Sequence, residues 1–314
     1  MAEAVGFKFA DLPVAWNQRD LVLYAVGVGA KADELSQAYE LSSDWSSLPT
    51  YPLVLGLKGD SQDVTDFSVM KDHGGKPPGL PKSDAKRLVH AEQSIEILRP
   101  IPHSASPKDG FKLVKQLTGV QDKGKGLVLE QTSTLVDGRG TEYARLISSS
   151  YNFGDPKLGG FSKVISKPVL MNTPRAPPKD RQPDFELTEA TTPEQALIYR
   201  LSGDYNPLHI DPSIGKNMGM GGVILHGLCS YGHAARAIIK TAGEGQPARL
   251  AAMSARFTSP VKPGDSLHTR IWVSKTDSDG SKELTFTQTV EGTGKLCLGG
   301  GVALLKPAAK SSKL

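Results

Sequence analysis

The feature that most restricts the fold is an internal duplication. Residues 17–29, NQRDLVLYAVGVG, and residues 191–203, TTPEQALIYRLSG, share one design. Asn17 falls on Thr192, Asp20 on Gln195 and Tyr24 on Tyr199, each 175 positions apart (24 + 175 = 199). Asn17 and Thr192 are good helix N-caps, and Gln195 completes a capping box with Thr192. Pro193 suits the first helical position, and Gly203 ends the second segment as glycine ends the first. A chain that repeats itself this way is expected to build two similar units.

The correspondence continues downstream. Residues 92–102, EQSIEILRPIP, resemble residues 254–264, SARFTSPVKPG, with Pro100 matched to Pro260. Alternating segments then follow at 111–120, 126–136 and 141–153, and again at 266–276, 282–290 and 296–305. Period-two alternation, as at Leu284 and Phe286, predicts half-buried antiparallel strands. Asp137-Gly138 and Asp279-Gly280 mark turns. Between the halves, Pro168, Pro174, Pro177, Pro178 and Pro183 exclude a regular helix or a central strand. The expected division is a first half over 1–167, a surface linker over 168–185, a second half over 186–308 and a tail over 309–314.

The halves differ in one respect. Residues 227–240 predict a long helix, with Leu228, Tyr231, Ala235 and Ile238 on one apolar face that packs on the sheet. The counterpart at 68–90 is broken by Pro77, Pro78 and Pro81, so no long helix is expected there. A sheet lacking its covering helix has room for a ligand.

Composition limits what such a fold can serve. At 38% hydrophobic and 22% charged residues the chain can bury real cores. The longest uncharged apolar run, residues 21–30, falls short of the roughly 20 residues a bilayer span needs, so no membrane role is expected. Nothing at the N-terminus reads as a secretory signal, because Asp11 and Asp20 interrupt the weakly apolar region. The net charge of +4 is dispersed, and no helix carries a basic stripe, so nucleic acid is not an expected partner. Cys229 and Cys297 stand in unrelated contexts and fit neither a disulfide framework nor zinc spacing. The chain ends Ser312-Lys313-Leu314, the peroxisomal address, and an import receptor and the peroxisomal matrix are expected from it.

The stretch 199–212, YRLSGDYNPLHIDP, sets an acid, Asp204, and a base, His209, on either side of a helix break. Together with 224–232, ILHGLCSYG, and 255–267, ARFTSPVKPGDSL, it resembles the signature of the hydratase 2 enzymes. These are the MaoC-like 2-enoyl-CoA hydratases, a family that includes the hydratase domains of peroxisomal multifunctional enzymes. The first half resembles the family at 88–102, LVHAEQSIEILRPIP, and 122–126, DKGKG, so the likeness covers about residues 10–306. It implies an α+β double hot-dog fold, two antiparallel sheets joined edge to edge, each associated with a helix, the N-terminal helix reduced. It also implies that only the second half is catalytic while the first houses the acyl tail. By the 175-residue offset Asp204 lies over Gly29 and His209 over Glu34, so the first half lacks the pair (29 + 175 = 204).

The implied reaction adds water across the double bond of a trans-2-enoyl-CoA to give a (3R)-3-hydroxyacyl-CoA, in fatty-acid β-oxidation. An acid and a base on one loop can hold one water and manage both protons. Asp204 is expected as the base toward water and His209 as the donor to C2, the reverse assignment staying open. Pro207 stiffens the loop and Asn206 can fix it through local backbone bonds. Gly227, at the start of the long helix, is implied by the resemblance as the oxyanion donor. His90, Ala91, Lys123 and Phe257 match positions that line the substrate in relatives, and Tyr205, Pro207 and Leu208 are expected to touch it as well.

Taken singly, His90 and His226 read as ordinary half-buried histidines, and Lys123 as a solvated turn residue. Asp211 is expected to cap the next turn, since no third metal ligand stands at sensible spacing. No metal and no cofactor beyond the coenzyme A of the substrate are expected. A homodimer is compatible with the resemblance. The alternatives are a non-catalytic acyl-CoA binder and a hot-dog thioesterase.

Overall fold

A computed structural model describes residues 2–67, 75–81, 87–154, 157–173 and 175–308. Pro174 and the tail with Ser312, Lys313 and Leu314 lie outside these residues, as do 68–74 and 82–86 of the broken counterpart segment. The first half runs β1 (Leu12–Pro13), α1 (Gln18–Gly27), α2 (Leu35–Ala38), α3 (Leu55–Lys58), β2 (Leu88–Ile97), β3 (Lys112–Asp122), β4 (Gly126–Val136), β5 (Glu142–Phe153) and β6 (Ser162–Val164). The second runs β7 (Phe185–Ala190), α4 (Gln195–Tyr199), α5 (Pro212–Asn217), α6 (Gly227–Lys240), β8 (Leu250–Phe257), β9 (Ser266–Thr276), β10 (Lys282–Val290) and β11 (Leu296–Leu305). No helix among the described residues is long and apolar enough to cross a membrane.

All the strands form one antiparallel sheet in the order β1-β3-β4-β5-β2-β8-β11-β10-β9-β7, with β6 on β3. The order reads the same outward from the β2–β8 seam: each half contributes five strands in equivalent places. Ser94 pairs with Ser254 at that seam, between Gln93–Ala255 and Ile95–Met253. The duplicated sequence has thus become a pseudo-twofold double hot dog.

The twin helices meet across the axis. The capping box at Asn17 and Asp20 is formed on both sides. Tyr24 and Tyr199, equivalent in sequence, lie 6.2 Å apart ring to ring. Gln195 spends its side chain on the first half, donating to the Gly27 carbonyl at 2.6 Å. It also accepts from the Thr192 amide at a long 3.4 Å, so only a weak half of the expected capping box forms. α4 accordingly begins after Glu194, not Thr192, and passes into a single 3-10 turn, Arg200–Ser202.

The long helix starts and ends where the sequence predicts, but the expected single apolar face is too narrow a description. Every residue from Cys229 to Ile239 is buried. The sheet covers one side and the first half covers the other. Added Cβ atoms show how tight that second contact is: at Gly232 one would lie 2.3 Å from Val28, and at Gly29 one would lie 2.2 Å from His233.

Burying the helix all round forces polar groups into the core, and each needs a partner. Arg236, 1% exposed, lies between Glu34, with which it makes a very short ion pair, and Glu189 at 3.1 Å. Gln37 and the Val28 carbonyl take further guanidinium hydrogens, each at 3.3 Å, and Lys240 reaches Glu34 at 3.3 Å. Arg236 therefore ties the loop after α1 and strand β7 to the central helix.

In the described part of the first half no helix matches α6. A 3-10 turn, Tyr51–Val54, and α3 lie there, with Trp45, Leu48, Tyr51, Val54 and Leu55 buried in the common core. The proline-rich stretch is more than a surface linker. Leu170 packs on Ala252 and Val302, and Arg175 pairs with Glu92 at 2.7 Å, strapping the outer face of the seam.

Candidate active site

The helix break before Asp204 is set by contact with the first half. Gly203 has φ +130°, and a Cβ on it would lie 2.8 Å from the backbone nitrogen of Lys58. Lys58 is itself immobilised, its ammonium donating to the carbonyls of Ala15 at 2.9 Å and Ser61 at 2.7 Å. Gly203→Ala is therefore expected to lower stability by about 1–3 kcal/mol, through backbone strain and displaced packing. A urea midpoint indistinguishable from the parent would refute this.

After Gly203 the chain forms a hydrogen-bonded loop. The Asn206 amide donates to Asp204 Oδ1 at 3.2 Å, and Asn206 Oδ1 accepts from the Leu208 amide at 3.1 Å. Pro207 occupies the first position of the single 3-10 turn Pro207–His209. Asp211 caps α5, accepting from Ser213 N at 2.8 Å. The local backbone bond expected of Asn206 is thus formed, its side-chain oxygen shaping the loop.

His209 is 8% exposed, and its Nδ1–H donates to the Ile224 carbonyl at 2.9 Å. That bond leaves Nε2 for the site. His226, which sequence reading passed over as ordinary, completes the group. It is 1% exposed, its ring stacks on His209 at 3.7 Å and 27°, and its Nε2–H donates to the Asp204 main-chain carbonyl at 3.1 Å. The signal available in sequence was only that His226 precedes Gly227 in ILHGLC.

Asp204, His209 and His226 each place one donor atom within 4.8 Å of the others. No direct hydrogen bond joins the Asp204 carboxylate to His209 among the described residues. A separation of up to 4.8 Å leaves room for one bridging water. The same three groups invite comparison with a metal centre. Each imidazole donates one ring hydrogen to a carbonyl and keeps one nitrogen open, and the two rings lie nearly parallel with centroids 3.7 Å apart.

Burial raises the Asp204 carboxyl above its ordinary range, countered by the His209 charge and the Asn206 amide. Burial lowers the His209 imidazole, countered by Asp204 and the Ile224 carbonyl. The two proton affinities are drawn together, which favours exchange of a proton between them. His226 is pushed well down by burial and by His209, and stays neutral.

The opposite wall comes from the seam. A Cβ on Gly227 would lie 2.9 Å from the Phe257 ring, and Phe257 packs on His90 with ring centroids 4.7 Å apart. His90 also meets Ser148 Oγ at 3.1 Å, and burial lowers its imidazole to about 4. Ala91 is the extra residue of a β-bulge, since His90 pairs with Ser150 and Glu92 with Ser149. Bulges of this kind re-aim side chains beside active sites. His226 sits at the N-cap of α6 without a side-chain cap bond, so it leaves the first-turn amides to other acceptors.

Two of the expected substrate contacts lie away from the acid–base pair. Tyr205 is buried beneath the Arg200 guanidinium, 5.2 Å from its ring centre, where packing holds it. Lys123 is exposed at the β3–β4 turn and donates to Gln121 at 2.7 Å, with no contact to the acid–base pair. Leu208 is half-buried beside His209. A cleft of about 410 Å³ opens at His209, lined by Pro193, Leu197, Ile210, Gly222 and Lys262.

Comparison with known proteins identifies the family. The MFE-2 hydratase 2 N-terminal domain profile matches residues 15–151, and the MaoC-like domain profile matches residues 175–295. The chain is 34% identical over 304 residues to probable enoyl-CoA hydratase 2 of Dictyostelium discoideum, covering 96% of this chain and 95% of that protein. It is 36% identical to peroxisomal enoyl-CoA hydratase 2 of Arabidopsis thaliana, covering 85% and 84% respectively. The crystal structure of a MaoC-like dehydratase from Phytophthora capsici superposes with a TM-score of 0.85 at 37% identity, covering 98% of each chain.

Proposed function

The chain belongs to the MaoC-like hydratase 2 family, and from that premise we propose that it adds water to a trans-2-enoyl-CoA, giving the (3R)-3-hydroxyacyl-CoA in peroxisomal β-oxidation. It is an enzyme of the lyase class. The observation that carries the reading is the placement of an Asp204 carboxylate oxygen and a His209 ring nitrogen within 4.8 Å of each other.

Neutral His209, with Nδ1–H committed to Ile224, offers a lone pair at Nε2. Asp204 offers a carboxylate oxygen. A water held by both donates one hydrogen to each, which turns its own lone pair toward C3 of the substrate. As the O–C3 bond forms, one O–H bond breaks and the pair takes the proton. The same pair then delivers a proton to C2. His209 acts as an acceptor at the outset, because its other nitrogen already carries the hydrogen, and can then donate to C2.

Negative charge developing on the thioester oxygen is met by the Gly227 amide and the N-terminal end of α6. Phe257 and His90 would border the acyl thioester at the seam. The first half would house the acyl tail, and Lys123 would reach coenzyme A phosphate from its exposed turn. The reaction needs no cofactor beyond the coenzyme A of the substrate. Ser312-Lys313-Leu314 would direct import through the peroxisomal receptor, and a second copy of the chain is the partner most in keeping with the hot-dog fold.

The test is direct. Purified protein should abolish the ultraviolet absorbance of an enoyl thioester without releasing thiol. The product should be oxidised by a (3R)-specific and not a (3S)-specific dehydrogenase. Free coenzyme A in place of hydroxyacyl-CoA would point to a thioesterase, and tight binding with unchanged absorbance to a carrier.

A further inference from the structure

We propose that His226 is a positioning residue for this site, holding the carboxylate loop, the His209 ring and the start of α6 as one unit. The inference rests on the hydration reading above. Three contacts carry it. The His226 ring lies 3.7 Å from His209, nearly parallel. Its Nε2–H bonds the Asp204 carbonyl at 3.1 Å. Its own backbone is the N-cap of α6, immediately before Gly227. One side chain therefore touches both acid–base residues from the element that supplies the oxyanion amide.

The residue type follows from these demands. Phenylalanine could stack on His209 but could not donate to the Asp204 carbonyl. Glutamine could donate but could not stack. Histidine does both. It must also remain neutral, because a cation against His209 would oppose any proton gained there. The surroundings enforce this: Nδ1 is buried with no hydrogen-bond partner among the described residues, and Tyr199 closes the other side with ring centroids 4.8 Å apart. The charged or titratable groups acting on the stack are Asp204, Arg200 and Tyr199.

Two variants separate the contacts. His226→Phe keeps the stack and loses the carbonyl bond. Its kcat should fall by about 10- to 100-fold as Asp204 shifts, with KM unchanged and the acid limb of the pH profile in place. His226→Gln keeps the bond and loses the stack. Water then reaches His209, whose pKa rises toward its ordinary value, so the acid limb should move to higher pH with a smaller loss of kcat. Parental kcat and pH profile in both variants would overturn the proposal. So would equal losses that merely track the fraction folded.

If neither variant folds, nitrogen-15 NMR of labelled histidine in the unaltered protein decides. The proposal requires His226 to carry hydrogen at Nε2 alone and not to titrate across the active pH range. A hydrogen at Nδ1, or titration in that range, would overturn it. Hydration by the parent protein is measured alongside. An inactive parent would sink the proposed function, whereas an active parent with unaffected variants would sink only the role of His226.

Discussion

Asp204→Asn and His209→Gln should each abolish nearly all hydration, a loss of about 100- to 10,000-fold in kcat for removing one acid–base group. Each change leaves the loop largely intact. Asparagine at 204 keeps the oxygen that accepts from the Asn206 amide, now at 3.2 Å, but it cannot take a proton. Glutamine at 209 can still be accommodated beside His226, but its amide is no base. Since the two residues share one water, their effects should not add, and the double variant should be little worse than either single one. Stability should move the other way for Asp204→Asn. Burial disfavours the charged carboxylate, so removing the charge should leave the thermal midpoint unchanged or raised. Near-parental turnover in either folded variant, measured as loss of enoyl-thioester absorbance, would overturn the mechanism.

The second large effect concerns Arg236. Arg236→Met should destabilise the protein by about 3–5 kcal/mol, because it leaves Glu189 in the core without its arginine and Glu34 with only the half-exposed Lys240. Glu34 and Glu189 are only 11% and 10% exposed, so water offers little relief. Lysine should rescue poorly, since a single ammonium cannot span both carboxylates as the guanidinium fork does. The triple variant Arg236→Met, Glu34→Gln, Glu189→Gln should recover much of the loss, because no buried charge remains. Urea midpoints of the three proteins decide the matter. If the single and triple variants prove equally unstable, the ion cluster is not what holds the first half to α6.

How the two halves diverged is visible at these same residues. The positions equivalent to Asp204 and His209 are Gly29 and Glu34 (29 + 175 = 204; 34 + 175 = 209). Gly29 clears space for the His233 ring, and Glu34 clamps Arg236. One copy of the loop thus carries the acid–base pair, and the other grips the central helix of its twin.

Much of this was legible in the sequence. Strands at 126–136, 266–276, 282–290 and 296–305 and the helix at 227–240 lie where alternation and periodicity put them. These are local properties, fixed by side chains a few positions apart. The acid–base pair was legible too, because Asp204 and His209 share one short loop and a recognisable motif. Two features depended on approach of distant segments and left no local trace: the stacking of His226 on His209 and the polar partners of the fully buried α6. A charged residue such as Arg236 in a helix reads as surface until Glu34 and Glu189 are seen to surround it. The sequence by itself determined the twofold plan, the elements and the reactive pair, since each is written in neighbouring residues. Only the tertiary structure decided which nitrogen of His209 is free, because that depends on a carbonyl 15 residues away, at Ile224.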